Sequence, residues 1–127
     1  MDQREIEAAA AQLLGARRGG VRIAELAVKP ASVAEAHAIQ DAVNAALGEA
    51  VGAFKANAPP GEAPTRGLIY ARTIQPSPAR LSAAEGGDRG VEGEIAFRFH
   101  RHLPKRAAPY TRDEVADAVD ACAAIEV

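Results

Sequence analysis

Tryptophan is missing from this 127-residue chain, and the aromatic residues amount to three Phe and two Tyr. Large rigid side chains usually dominate an interior, so this one has to be built from aliphatics. Those are scarce as well. Leu, Ile, Val and Phe together number 26, close to the limit of roughly 20% below which chains tend not to fold. Alanine supplies much of the 48% apolar fraction. So little core volume predicts either a partner surface that completes the interior or a piece of a larger domain.

Other absences exclude whole classes. With a single cysteine, Cys122, no internal disulfide can form. Its place on the apolar side of a helical pattern predicts a buried, reduced thiol. No apolar run is long enough for a signal segment or a bilayer span, and the chain opens on the charged Met1-Asp2-Gln3-Arg4-Glu5. A cytoplasmic location without a membrane partner is the expectation. Net charge is −2, with Lys and Arg scattered among Asp and Glu, which gives no basic field for a phosphate backbone. Nucleic acid is therefore not an expected partner.

What is present organises the chain as one α+β domain. Ile6, Ala10, Leu13 and Leu14 recur at helical spacing from Asp2 to Arg18, and Gly19-Gly20 is a stop signal. Ser32-Val33-Ala34-Glu35 has the form of a capping box. It predicts a second helix to about Leu47, with Ala36, Ile39, Val43, Ala46 and Leu47 as its buried stripe and Gly48 beyond its end. Residues 1–48 thus read as a helical hairpin and 49–127 as a β segment containing one helix.

In that second part Val51-Gly52-Ala53-Phe54-Lys55 reads as a short strand, and the proline-rich 59–64 as a loop. Leu68-Ile69-Tyr70-Ala71 with Thr73-Ile74 reads as another extended piece, and Glu85 to Gly90 as a turn. Thr111-Arg112-Asp113-Glu114 is a second capping box, opening a helix whose Val115, Ala118, Val119 and Cys122 share a face. Ala124-Ile125-Glu126-Val127 reads as the beginning of a strand with no length left to pair, which gives the sequence the look of a cut domain.

The densest chemistry lies between Val91 and Phe99. As a strand, this segment puts Glu92 and Glu94 on one face and Val91, Ile95, Phe97 and Phe99 on the other, against a core. Two carboxylates about 6 to 7 Å apart along one strand repel unless a cation lies between them. Glutamates alternating with apolar residues also mark any solvated strand. A third carboxylate, Glu126, follows a capped helix, and three carboxylates with water suit octahedral Mg²⁺ or Mn²⁺. His100 and His102 flank Arg101 without a third soft ligand nearby, so exposed polar residues are the reading for them. Ser32 is committed as a helix cap and Ser82 has no partnered base in sequence. Gly86-Gly87-Asp88-Arg89-Gly90 precedes a strand, so it is no phosphate loop.

These segments resemble the 2-keto-4-pentenoate hydratase group of the fumarylacetoacetate hydrolase superfamily, which also includes 4-oxalocrotonate decarboxylase. His37-Ala38-Ile39-Gln40-Asp41-Ala42-Val43 is similar to that family's helix before its first strand, and Val51 to Lys55 to its strand ending in lysine. Gly90 to Phe97, Leu103-Pro104, Tyr110-Thr111 and Ala124 to Val127 are similar, in register, to its metal-ligand signature. The resemblance implies a helical hairpin followed by part of the mixed β-fold of that superfamily, without its C-terminal half. It also implies a Mg²⁺- or Mn²⁺-dependent hydratase of 2-hydroxy-2,4-dienoate or 2-oxo-4-enoate acids, as in aromatic catabolism.

In that reading Glu92, Glu94 and Glu126 are the metal ligands, Lys55 is catalytic and binds substrate, and relatives form oligomers. Arg72 stands where hydratases tend to carry an acidic residue, and Ala56-Asn57 follow the lysine where a small apolar residue and glycine are usual. Arg72 as a holder of a second substrate carboxylate gives the alternative of a 2-oxo acid decarboxylase. The absent half gives another alternative, a non-catalytic remnant that docks on a relative of full length.

Overall fold

The computed structural model describes residues 1–82 and 90–127, in two compact units, Met1–Pro78 and Ala79–Val127. The turn expected from Glu85 to Gly90 lies largely outside the described residues.

The N-terminal unit is built from two helices and a hairpin of strands. Helix α1 spans Gln3–Gly19. The Asp2 side chain accepts from the Glu5 N–H, and the Glu5 carboxylate accepts from the Asp2 N–H, so two orphan donors are satisfied reciprocally. Gly20 ends it in the left-handed region at φ 62°, which glycine adopts without a Cβ clash. Helix α2 spans Val33–Leu47, with Ser32 as its cap and left-handed Gly48 beyond it. The expected box closes only halfway. Ser32 Oγ accepts from the Glu35 N–H, but Glu35 takes the Ala31 N–H and the Met1 amino group.

The two helices pack through Ala9, Ala10 and Ile39, which are 2%, 4% and 3% exposed. That seam is narrower than the sequence pattern implied, because Ala36 and Ala46 face solvent.

Strand β1 (Val51–Asn57) pairs antiparallel with β2 (Thr65–Tyr70), and Lys55 lies opposite Gly67. The register slips at Gly52. A β-bulge there puts one extra residue into β1 and brings its backbone close to the single 3₁₀ turn Ala71–Thr73. A Cβ on Gly52 would lie 2.7 Å from Ala71 Cα and 2.8 Å from Ile74 Cδ1, so only glycine fits without a shift. Residues 71–73 are therefore a turn, where the sequence predicted continued extension.

The C-terminal unit is a second antiparallel pair, β3 (Glu92–Phe99) with β4 (Val119–Glu126). Between them lies the short helix α3 (Arg112–Ala116), with the expected Thr111–Glu114 capping box intact. Two expectations fail at this point. The helix does not run on to Cys122: it stops after Ala116, and Val119 to Glu126 is strand along its whole length. β4 is thus a full eight-residue partner for β3. Five helical residues cannot outweigh a paired strand rich in alternating apolar positions. Cys122 is consequently half-buried on a strand instead of buried on a helix.

The second failure concerns the apolar side of β3. Val91, Ile95, Phe97 and Phe99 are 69%, 76%, 62% and 50% exposed, and Ile125 on β4 is 72% exposed. The face expected to back a core is open.

The connection from β3 to α3 is tied by polar contacts. Arg106 donates from Nη1 and Nη2 to the Glu114 carboxylate at 2.9 and 2.6 Å and lies 3.7 Å over the Tyr110 ring. The Tyr110 hydroxyl donates to the Pro104 carbonyl at 2.6 Å. The Arg106 guanidinium, then the Thr111 N–H, hold the Glu114 carboxyl down at about 2. A depressed acid contributes stability above its unfolded value and loses it as pH falls through the folded one. The window here runs from 4.5 down to about 2.

Two outcomes test this packing. Gly52→Ala lowers stability to urea by about 1–3 kcal/mol, whereas Gly67→Ala, with nothing within 4 Å of the added carbon, is neutral or stabilising; equal losses would contradict the close approach at Gly52. Carbon-detected NMR titration of Glu114 gives a midpoint near about 2, and Arg106→Gln returns it toward the ordinary carboxylate range.

Candidate metal centre

The alternation of β3 and β4 decides which side chains meet. In the observed register Glu92 is directly opposite Glu126, Glu94 opposite Ala124, Ala96 opposite Cys122, and Arg98 opposite Asp120. Directly opposed residues share a face, with Cβ atoms about 4.5–5.5 Å apart. Glu92, Glu94 and Glu126 therefore gather at one end of one face, and small Ala96 and Ala124 border them. Glu94 is half-buried, and Glu92 and Glu126 are exposed.

One carboxylate oxygen from each glutamate lies within 4.8 Å of the others. Among the described residues no other group of three His, Cys, Asp or Glu side chains converges in this way. The structure thus brings together the three glutamates singled out from sequence, although Glu126 arrives on a strand whose full length was not foreseen.

The donor set is oxygen alone, which selects hard cations over soft ones. Oxygens on one ion at about 2.1 Å are roughly 3.0 Å apart when adjacent and 4.2 Å when opposite. A 4.8 Å spread is within small side-chain rotations of that, so the three residues fit one divalent ion. They would leave about half of its six to eight positions for water or a bidentate ligand. Exposed acidic groups also gather on protein surfaces without an ion, so the geometry is permissive rather than specific.

The other sequence candidates belong to the N-terminal unit or lie elsewhere on the C-terminal one. Lys55 is exposed on β1, and the absent side chain of Gly67 opposite leaves space beside it. Arg72, in the 3₁₀ turn, donates from Nε and Nη2 to Glu49 at 2.6 and 3.4 Å. The Arg72 guanidinium, with a smaller contribution from Arg17, holds the Glu49 carboxyl below its usual range. Arg17 itself lies 5.2 Å over the Tyr70 ring.

His100 extends the β ladder, its N–H donating to the Ala118 carbonyl at 3.1 Å. His102 borders a cavity of about 220 Å³ with Arg101, Tyr110 and Glu114, which none of the three glutamates lines. Ser32 is the cap it was read to be. Glu49 was not singled out from sequence, and neither was Arg66, which Asp41 holds. Their partners are 23 and 25 residues away, so no local spacing signals them.

Comparison with protein families, curated proteins and solved structures finds no match.

Proposed function

We propose that this chain is a divalent-metal-dependent hydro-lyase of 2-oxo acids, a hydratase of 2-hydroxy-2,4-dienoate or 2-oxo-4-enoate substrates of the kind met in aromatic breakdown. The observation that carries the reading is the convergence of Glu92, Glu94 and Glu126 within 4.8 Å across one strand pair. Their resemblance in sequence to a known ligand trio supplies the reaction class. The polypeptide path is that of a partial fumarylacetoacetate hydrolase-like fold in this reading, working in the cytoplasm as a homo-oligomer.

Mg²⁺ or Mn²⁺ held there would supply Lewis-acid stabilisation of negative charge on a 2-oxo acid. The chain's own residues have separate tasks. Glu92, Glu94 and Glu126 would hold the ion. The resemblance assigns to Lys55 the substrate carboxylate or a proton transfer, tasks suited to an ammonium.

Decarboxylation would ask Arg72 to hold a second carboxylate. Arg72 already holds the carboxylate of Glu49, so hydration is the better supported of the two reactions.

Titrating Mn²⁺ into the chain by calorimetry tests the ligand set, and hydration of 2-hydroxypenta-2,4-dienoate tests the reaction. Glu94→Gln is expected to weaken the ion by more than the roughly 10–100-fold that loss of an outer-shell partner brings, and to abolish divalent-dependent turnover while the circular dichroism spectrum persists. Unchanged affinity or unchanged turnover would overturn the reading. Lys55→Ala separates the roles: ion binding survives and turnover falls.

A further inference from the structure

Helix α2 grips strand β2 at one residue. His37, Gln40 and Asp41 follow the i, i+3, i+4 spacing of a single helix face, and all three reach Arg66. The Arg66 backbone N–H donates to His37 Nε2 at 3.1 Å. Gln40 Nε2 donates to the Arg66 carbonyl at 3.4 Å. Arg66 Nη2 donates to both oxygens of Asp41, at 2.8 and 2.9 Å. These backbone groups of Arg66 face the helix, on the side of β2 away from β1, where a two-stranded sheet would otherwise present an open edge.

The contact with His37 has a definite protonation requirement. An imidazole nitrogen that accepts a hydrogen bond carries no proton, so the ring is neutral, with its proton on Nδ1. A second proton would make Nε2 a donor facing another donor. The hydrogen bond would be lost, and a cation would be placed near the Arg66 guanidinium. Histidine is the side-chain type that makes this change between about pH 5 and 8.

Charged groups are present on the elements packed against α2, among them the Asp2 and Glu5 carboxylates beside the Met1 amine. From β2 the group is the Arg66 guanidinium, and on α2 itself it is the Asp41 carboxylate that holds Arg66. From the start of α1 it is the Met1 amino group, paired with Glu35. The Glu35 carboxyl is held below its usual range by the Met1 amine and the Ala31 N–H, and Glu35 in turn raises the Met1 amine. These two therefore keep their charges while a histidine titrates.

We propose that the His37–Arg66 contact is an acid-sensitive latch between α2 and the β1–β2 hairpin. With His37 neutral the Arg66 N–H is joined to the helix; with His37 protonated that contact is released, and Gln40 and Asp41 alone hold Arg66. Arg66 lies opposite Ala56, the neighbour of Lys55, so opening loosens the strand pair that carries Lys55. The latch is independent of the metal reading, because the three glutamates belong to the other unit.

Two-dimensional NMR on the full chain tests it without any activity assay. In the native protein near neutral pH, the ¹⁵N shift of His37 Nε2 is expected to be that of an unprotonated acceptor nitrogen. Acidification should move the Arg66 amide in step with the protonation of the His37 ring. Protection of the Arg66 amide from exchange, measured against Phe54 in the same sheet, should fall by roughly tenfold, the scale of one net hydrogen bond. His37→Gln offers an acceptor that does not titrate and should flatten the response. A protonated Nε2 at neutral pH, an Arg66 amide that does not move, or an equal response in His37→Gln would each overturn the proposal.

Discussion

The chemistry of the C-terminal unit depends on one constraint, the antiparallel register that sets Glu92 opposite Glu126. Because side chains alternate along a strand, a slip of one residue would carry all of β4 to the opposite face. Glu126 would then stand on the face of Val91 and Ile95, and the oxygen cluster would not exist. The register is pinned at the end away from the glutamates. Ala118 is completely buried, its carbonyl accepts from the His100 N–H, and its own N–H donates to Val115, so the turn out of α3 delivers β4 in a fixed phase. The Arg106–Glu114 pair and the Thr111 cap fix α3 in turn. A polar strap nearly a strand's length away thus decides where three carboxylates meet.

The same dependence on polar contacts runs through the N-terminal unit, and it follows from composition. Among the described residues, Ala9, Ala10, Ile39 and Ala118 are the buried apolar ones, and three of the four are alanines. Burial of so little area, at about 25 cal/mol per Å², orients elements only weakly. Directional contacts supply the orientation instead. Glu35 ties the start of α1 to α2, Gln12 joins its amide to the Glu25 carbonyl and the Ala27 N–H, and Arg66 joins α2 to β2. Each is geometrically specific and individually modest.

Local signals in the sequence were legible, and distant ones were not. Both long helices, the Ser32 and Thr111 caps and the glutamate strand follow from spacing and capping residues within a few positions of one another. The stretch from Val119 to Cys122 did not, because Val115, Ala118, Val119 and Cys122 satisfy a helical period by chance. Strand pairing with β3 is a contact across twenty residues or more, and it overrides that local pattern. The turn at Ala71–Thr73 was hidden for a similar reason: the bulge at Gly52 and the bond from the Ala71 N–H to the Ala50 carbonyl bend the chain there. In the candidate site, two glutamates were readable as a pair from period two, and the third only by resemblance and spacing.

The outward side of the β3–β4 ribbon follows from the same register. Alternation that collects three carboxylates on one face must collect Ile95, Phe97, Phe99 and Ile125 on the other, and these remain half or more exposed. An isolated two-stranded ribbon is marginal in water, and like charges placed directly opposite weaken it further. In the proposed reading a cation on the acidic face would bind only when the register is correct, and would favour the paired ribbon over slipped or open forms by mass action. Whatever stabilises the ladder on one face necessarily fixes the arrangement of apolar side chains on the other. Ion binding there would therefore be linked to the presentation of that apolar face through the ladder itself, and linkage of this kind is reciprocal: covering Ile95 and Phe97 would tighten the glutamates' hold on an ion as much as the ion would favour the covered ribbon.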